Sequence, residues 1–363
     1  MARAVGTRLA GVDLRLEGSD DAAAAQAQFE RVREALHTHG VVVLPGQSDE
    51  LTREQLHAFA MRWGPIALHI GQGPNEYPGL PGMLTINDGF SDEDPAPEPG
   101  ATEFGPTWHC DFAACVRPGY ATVLNCRSTP TGERPEQRCD TLFADLVSAF
   151  DAMPEPEQLE LSRLKVRMSY RSRQLYDEVF SRSLEEKQRQ QQGGAAKAGF
   201  KNLTIGGRTE EEAQALLDSL RPDVEHPLVR NVLGRPVIYL GQADAGFIVD
   251  TQQAEESDSP LETIIEGHLR LAELQAFCTQ PRFVHNHVWA KGDVVVWDNR
   301  QVIHMADYSF ARHSPTEKRV MWHVGTKDPL RPRAWDVAAV GDCLTPEEPP
   351  TDQWLPEADG ARL

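Results

Sequence analysis

The residues best placed to do chemistry together are His109 and Asp111, within the tetrapeptide Trp108-His109-Cys110-Asp111. In an extended segment, side chains two residues apart leave the same side of the backbone. The imidazole and the carboxylate can therefore converge on one ion while Cys110 turns away. A second imidazole would complete a two-histidine, one-carboxylate set, which leaves coordination positions open on ferrous iron for oxygen chemistry. The chain has twelve histidines, and spacing alone does not select the one that closes the set. By itself a His-x-Asp pattern also suits a surface or helix-capping role. Catalytic zinc could use the same ligands, whereas structural zinc ordinarily takes four, often including thiolates.

The elements around this tetrapeptide decide whether such a set can form. Residues 29–37 space Phe29, Val32 and Leu36 at helical intervals; Gly40 ends that helix and Val41-Val42-Val43-Leu44 follows as a short buried strand. Residues 49–63 read as a second helix, with Thr52 capping the turn before Gln55 and with Leu56, Phe59 and Trp63 on one face. Residues 70–106 are rich in Gly, Pro, Asp and Glu and lack clear periodicity, which fits a lid or pocket wall. Residues 121–126 read as a strand, 141–153 as a helix carrying Phe143, Leu146, Val147 and Phe150 on its apolar side, and 166–170 as another strand. The last third carries short strands at 228–232, 236–240, 282–289, 293–297, 302–304 and 319–325, interrupted by a helix at 261–277. Lys291-Gly292 joins two of these strands as a tight turn. Many short strands without a strand–helix–strand rhythm predict a closed or sandwiched antiparallel sheet. The expected organisation is one domain over 1–330, with lid or insert segments at 70–106 and 165–203, and a Pro- and acid-rich tail over 331–363.

Bulk composition narrows the partners. With 363 residues, 40% of them hydrophobic and 25% charged, the chain reads as an ordinary globular protein with a sizeable core. Thirty-six basic against fifty-five acidic residues give a formal charge of −19, which disfavours nucleic acid or an anionic membrane as partner. No stretch is apolar enough to read as a targeting signal or a membrane span. Six cysteines without CxxC spacing read as reduced thiols, so the expected location is cytoplasmic.

Four segments carry a family likeness. They are A-G-V-D-L near the start with H-G-V-V-V-L-P-G-Q, A-M-R-W-G and the nearby His69; W-H-C-D-F at 108–112; T-G-E followed by C-D-T-L-F at 139–143; and K-G-D-V-V-V-W-D-N-R-Q-V-I-H-M-A-D-Y at 291–308 with K-R-V-M-W-H at 318–323. In these the chain resembles the TauD/TfdA (taurine dioxygenase / 2,4-D dioxygenase) family of Fe(II), 2-oxoglutarate-dependent dioxygenases. The resemblance implies a double-stranded β-helix fold, a jelly-roll or cupin-like core of mostly antiparallel strands with flanking helices. It implies Fe(II), 2-oxoglutarate as co-substrate and O2, with His109 and Asp111 as the first two metal ligands and His304 as the third. The arginine that pairs with the far carboxylate of 2-oxoglutarate falls on Arg319, and a threonine contacting the same co-substrate falls on Thr141. A guanidinium can grip a carboxylate through two parallel charge-assisted bonds, which suits Arg319 to that task.

The implied reaction is hydroxylation of an unactivated C–H bond of a small polar organic substrate, with release of succinate and CO2. The carboxylate at Asp111 argues against halogenation, which in relatives needs that position vacated for chloride. Trp297, Asp298, Asn299 and Arg300 read as architectural residues that pack the sheet and turn the chain before His304. One departure concerns the substrate: where several relatives place an arginine four residues beyond the co-substrate arginine, this chain has His323. His69 and Asn87 are further candidate substrate contacts. Relatives often form homodimers or homotetramers. The rival readings are a non-catalytic jelly-roll protein binding metal or 2-oxoglutarate, and a metal-dependent hydrolase.

Overall fold

The computed structural model describes residues 4–68, 77–88, 105, 107–168, 223–250, 261–307, 319–329 and 332–335. The chain opens with β1 (Thr7–Arg8), α1 (Ala22–His39), β2 (Val41–Leu44) and α2 (Arg53–Met61). Asp21 caps α1 by accepting from the Ala24 N–H, and Gly40, at φ 71°, closes it with its own N–H on the Leu36 carbonyl. Thr52 and Gln55 form a reciprocal capping box at the start of α2. Then come β3 (Met83–Asp88), β4 (Gly119–Ser128), β5 (Thr141–Asp145), α3 (Leu146–Asp151), α4 (Glu155–Leu161) and β6 (Leu164–Met168). After β7 (Val224–Pro227), β8 (Val229–Val232), β9 (Arg235–Ile238) and β10 (Gly246–Asp250) runs α5 (Leu261–Cys278). The last strands are β11 (Val284–His287), β12 (Val294–Asp298), β13 (Val302–Ala306) and β14 (Arg319–Lys327).

Two sheets matter for the site. One has six strands in the order β1-β2-β12-β4-β14-β3, antiparallel except for the β1–β2 pair. The other has the order β11-β5-β13 and is wholly antiparallel. Alternation along β12 shows how they pack. Val294 and Val296 join Phe29, Leu36, Leu56 and Phe59 on the helix-covered face, whereas Val295 and Trp297 turn inward to meet Phe143, Trp289 and Val302 of the opposite sheet. The outer face of the three-stranded sheet, at Ala144 and Ile303, is covered by Val147 and Phe150 of α3 and by Leu271 and Leu274 of α5. Smaller sheets, β10-β6-β7 and β8-β9, complete that side, and residues 333–335 pair along β8.

Several elements differ from what periodicity predicts. Residues 141–153 do not form one helix: Thr141–Asp145 is a strand and α3 starts only at Leu146. Phe143 matches the helical spacing of its neighbours, but it faces inward, 5.5 Å from the Trp297 ring. The cap of α3 is Asp145, whose carboxylate accepts from the Val147 N–H and the Ser148 hydroxyl. Lys291-Gly292 is indeed a tight turn, with the Asp293 N–H on the Ala290 carbonyl. The strands that it joins lie in different sheets, so it passes the chain across the interior instead of closing a hairpin. Within 70–106, Met83–Asp88 forms the edge strand β3. The rest of that segment, apart from 77–88 and residue 105, lies outside the described residues, as does 165–203 beyond Met168.

Candidate active site

His109 and His304 are brought together by the backbone. The His109 N–H donates to the His304 carbonyl at 3.0 Å and the His304 N–H to the His109 carbonyl at 2.8 Å, a two-bond β-bridge between distant parts of the chain. Their rings stand 4.3 Å apart. Asp111 Oδ1 lies 3.8 Å from His109 Nε2 and 3.9 Å from His304 Nε2. Three ligand atoms thus surround one point, all within 4.8 Å of one another, and this is the metal-ligand group found among the described residues. Cys110 points the other way, buried beside the Tyr239 hydroxyl, as strand alternation requires.

The surroundings fix each ligand. His109 Nδ1 donates to the Thr107 carbonyl at 2.7 Å, which leaves Nε2 as the lone-pair nitrogen facing Asp111. Gly105, at φ 74°, lies so close to this ring that a Cβ would stand 2.8 Å from His109 Cε1. His304 sits in an aromatic seat, 4.7 Å from the Trp297 ring and 6.1 Å from that of Phe143. Asp111 has the densest support. Its N–H donates to Asn299 Oδ1 at 2.9 Å, its Oδ2 accepts from the Thr122 hydroxyl at 2.5 Å, and its carbonyl accepts from the Gly119 N–H at 3.1 Å. Next to it, Phe112 holds a left-handed φ of 55°, unusual for a bulky residue. Its ring occupies the space that a Cβ at Gly325 would need.

Electrostatics suits a divalent cation. Burial alone raises the pKa of Asp111, but His304, His323 and His109 together with the Thr122 hydroxyl outweigh it and hold the carboxyl well below its ordinary range. Burial, and then neighbouring His109, pushes His304 down to about 3. Near neutral pH the buried set therefore offers an ionised carboxylate and a neutral His304 imidazole, the forms that ligate a metal.

The remaining candidates distribute over the two inner walls. Thr141 faces the interior on β5, two residues from Phe143, which pairs with His304, and its Oγ1 accepts from Trp289 Nε1 at 2.9 Å. Arg319 and His323 are both buried on β14, whose alternation puts them on the inner face with Met321. His323 feels the site directly, since it and Asp111 shift each other's protonation. Asn87 lies on β3 opposite Val320, and His69 falls outside the described residues. Sequence reasoning missed Thr122 and gave Asn299 only a turning role. The W-D-N-R stretch before His304 was the signal for Asn299; a lone threonine in an apolar strand offered none.

Known proteins resemble this chain in sequence and fold. The chain is 28% identical over 291 residues to an (S)-phenoxypropionate/alpha-ketoglutarate-dioxygenase of Sphingobium herbicidovorans, covering 78% of this chain and 81% of the relative. It is 27% identical to an alpha-ketoglutarate-dependent 2,4-dichlorophenoxyacetate dioxygenase of a Burkholderia species, covering 80% and 83%. Among solved structures its fold resembles that of AAD-2 in complex with Mn(II) and N-oxalylglycine, with a TM-score of 0.58, 23% identity and coverage of 91% and 96%. A family model matches residues 3–325, nearly the whole chain, and the protein therefore belongs to the taurine catabolism dioxygenase TauD, TfdA family.

Proposed function

We propose that this Fe(II)- and 2-oxoglutarate-dependent dioxygenase holds its metal through His109, Asp111 and His304 and hydroxylates an unactivated C–H bond of a small polar organic substrate. The observation that carries the assignment is the convergence of two imidazole Nε2 atoms on the buried Asp111 Oδ1, at 3.8 and 3.9 Å. Bound iron supplies the oxidation of a C–H bond by O2, coupled to decarboxylation of 2-oxoglutarate to succinate and CO2. The chain's own share is positioning and exclusion of water. Arg319 is the partner for the far carboxylate of 2-oxoglutarate, from a buried place on β14 where a charge-assisted bond is little screened. Thr141 aids the same end: its oxygen is taken by Trp289, and its hydroxyl hydrogen can donate to a carboxylate. His323, buried on β14 of the sheet against which Asp111 is tied, is the residue proposed to meet the substrate, with Asn87 and His69 as further contacts.

The relatives' names point to aryloxy-carboxylic acids as one substrate class to try, and His323 in place of a fixed cation extends the panel to neutral polar molecules. The reading takes the fold as a double-stranded β-helix over one domain, 1–330, and the mostly antiparallel six- and three-stranded sheets support it. The same reading makes the protein a cytoplasmic homodimer or homotetramer acting on a small molecule and engaging neither nucleic acid nor membrane. The net charge of −19 disfavours nucleic acid and anionic membrane as partners, and among the described residues no helix is long and apolar enough to cross a membrane. The test is a substrate screen coupled to succinate release, with mass analysis for a gain of one oxygen. Iron-dependent succinate formation that tracks product is expected; turnover supported by zinc without 2-oxoglutarate would overturn the assignment.

A further inference from the structure

Asp111 meets the rest of the molecule through a buried chain of hydrogen bonds with only one consistent direction. Asn299 Oδ1 accepts two bonds, from the Asp111 N–H at 2.9 Å and from Trp297 Nε1 at 3.2 Å. Its amide nitrogen must therefore be the donor, and it gives to Thr122 Oγ1 at 2.9 Å and to the Tyr120 carbonyl at 3.3 Å. With its oxygen already accepting, the Thr122 hydroxyl sends its hydrogen to Asp111 Oδ2, 2.5 Å away. Thr122 and Asn299 are fully buried, so water cannot substitute for either partner. The carboxylate is thereby divided: Oδ1 faces both imidazoles, while Oδ2 is tied to the wall of the six-stranded sheet.

We infer that Thr122 and Asn299 are positioning residues that hold Asp111 as a one-oxygen ligand, keeping Oδ2 off the metal and a coordination place open for 2-oxoglutarate. The inference rests on the metal assignment proposed above. A carboxylate released from Thr122 can rotate and offer both oxygens, which occupies a site that the keto acid needs. Asn299 acts one step further back, by fixing the backbone of Asp111 and the direction of the Thr122 hydroxyl. Hydrogen-bond partners of this kind typically change metal affinity by about 10- to 100-fold.

The test uses the full chain and two probes, Mn(II) and 2-oxoglutarate, followed by calorimetry and by the EPR spectrum of bound Mn(II). Thr122→Val keeps the side-chain shape and removes the hydroxyl; Thr122→Ser restores it. In the valine variant, Mn(II) binding is expected to change by at least tenfold with an altered EPR spectrum, and 2-oxoglutarate binding to the Mn(II)-loaded protein is expected to weaken. The serine variant should return both to near wild type. Asn299→Ser, which loses the relay but keeps a small polar group, should change Mn(II) binding less than Thr122→Val does. A role in packing alone would lower the melting temperature and leave Mn(II) affinity and spectrum unchanged; that result overturns the inference. If Thr122→Val does not fold, Thr122→Ala carries the same readouts. Failure of the wild-type protein to bind Mn(II) would instead overturn the metal assignment itself.

Discussion

The two walls of the interior hold their histidines differently. On the three-stranded wall, His304 is bonded through its backbone to His109 and seated between Trp297 and Phe143, with its Nε2 aimed at Asp111. On the six-stranded wall, His323 is equally buried and also coupled to Asp111, yet it stands outside the group of converging ligand atoms. Arg319 shares its strand face, four residues away, or roughly 13 Å at an ordinary strand rise. The proposed ligands are therefore shared, His304 from the three-stranded wall and Asp111 tied against the six-stranded one, while Arg319 and His323 present polar groups along the latter at intervals suited to organic molecules. Equal burial and a similar electrostatic environment do not confer equal roles; the backbone register does.

Breaking the proposed ligand set should have the largest effect. His304→Ala or Asp111→Ala is expected to reduce iron-dependent succinate release to background, with limited loss of melting temperature because the β-bridge between His109 and His304 uses main-chain atoms. Retained turnover in either variant would contradict the division of labour. On the six-stranded wall, Arg319→Ala should raise the 2-oxoglutarate requirement by roughly two orders of magnitude, as expected for truncating a buried charge-paired group. Arg319→Lys should recover only part of it, and calorimetry with 2-oxoglutarate and Mn(II) reads both. His323→Arg is a finer probe: relative kcat/KM should move about tenfold toward carboxylate over neutral substrates, the worth of one added ion pair. A flat profile across the panel would remove His323 from substrate recognition.

The smallest effect on activity lies away from both walls. Burial, reinforced by neighbouring Arg230, lowers the pKa of His226 to about 4. An unfolded histidine titrates near 6.5, so between about pH 6.5 and 4 the unfolded chain holds more protons and stability falls as pH falls. This histidine alone contributes on the order of 3 kcal/mol over that window. Urea midpoints across it should slope less steeply for His226→Gln than for the wild-type chain.

What the sequence disclosed follows the range of the forces involved. Two early helices were legible over 29–37 and 49–63 because apolar spacing, the Gly40 stop and the Thr52 cap are local, although the first begins earlier, at Ala22 behind the Asp21 cap, and the second spans only Arg53–Met61. The strand at Thr141–Asp145 was not, since Phe143 fits a helical spacing and only Trp297 across the interior and the neighbouring His304 reveal its true side. In the site, His109 and Asp111 were visible as a pair two residues apart, whereas His304 needed the family pattern because its partnership is a long-range bridge. Thr122 was invisible for the same reason: nothing in Tyr120-Ala121-Thr122-Val123 marks one hydroxyl as the partner of a carboxylate on another segment.

The bridge between His109 and His304 has a consequence for metal traffic. Because main-chain hydrogen bonds assemble the two imidazoles, an arriving ion has little organising to do and little means of being recognised by the shape that it imposes. Bare affinity at such nitrogen and oxygen donors rises from manganese through iron, cobalt and nickel to copper, so iron is not favoured by strength of binding. Occupancy then follows supply and exchange, and protein produced in a medium rich in nickel or cobalt should emerge loaded with them, well folded and idle.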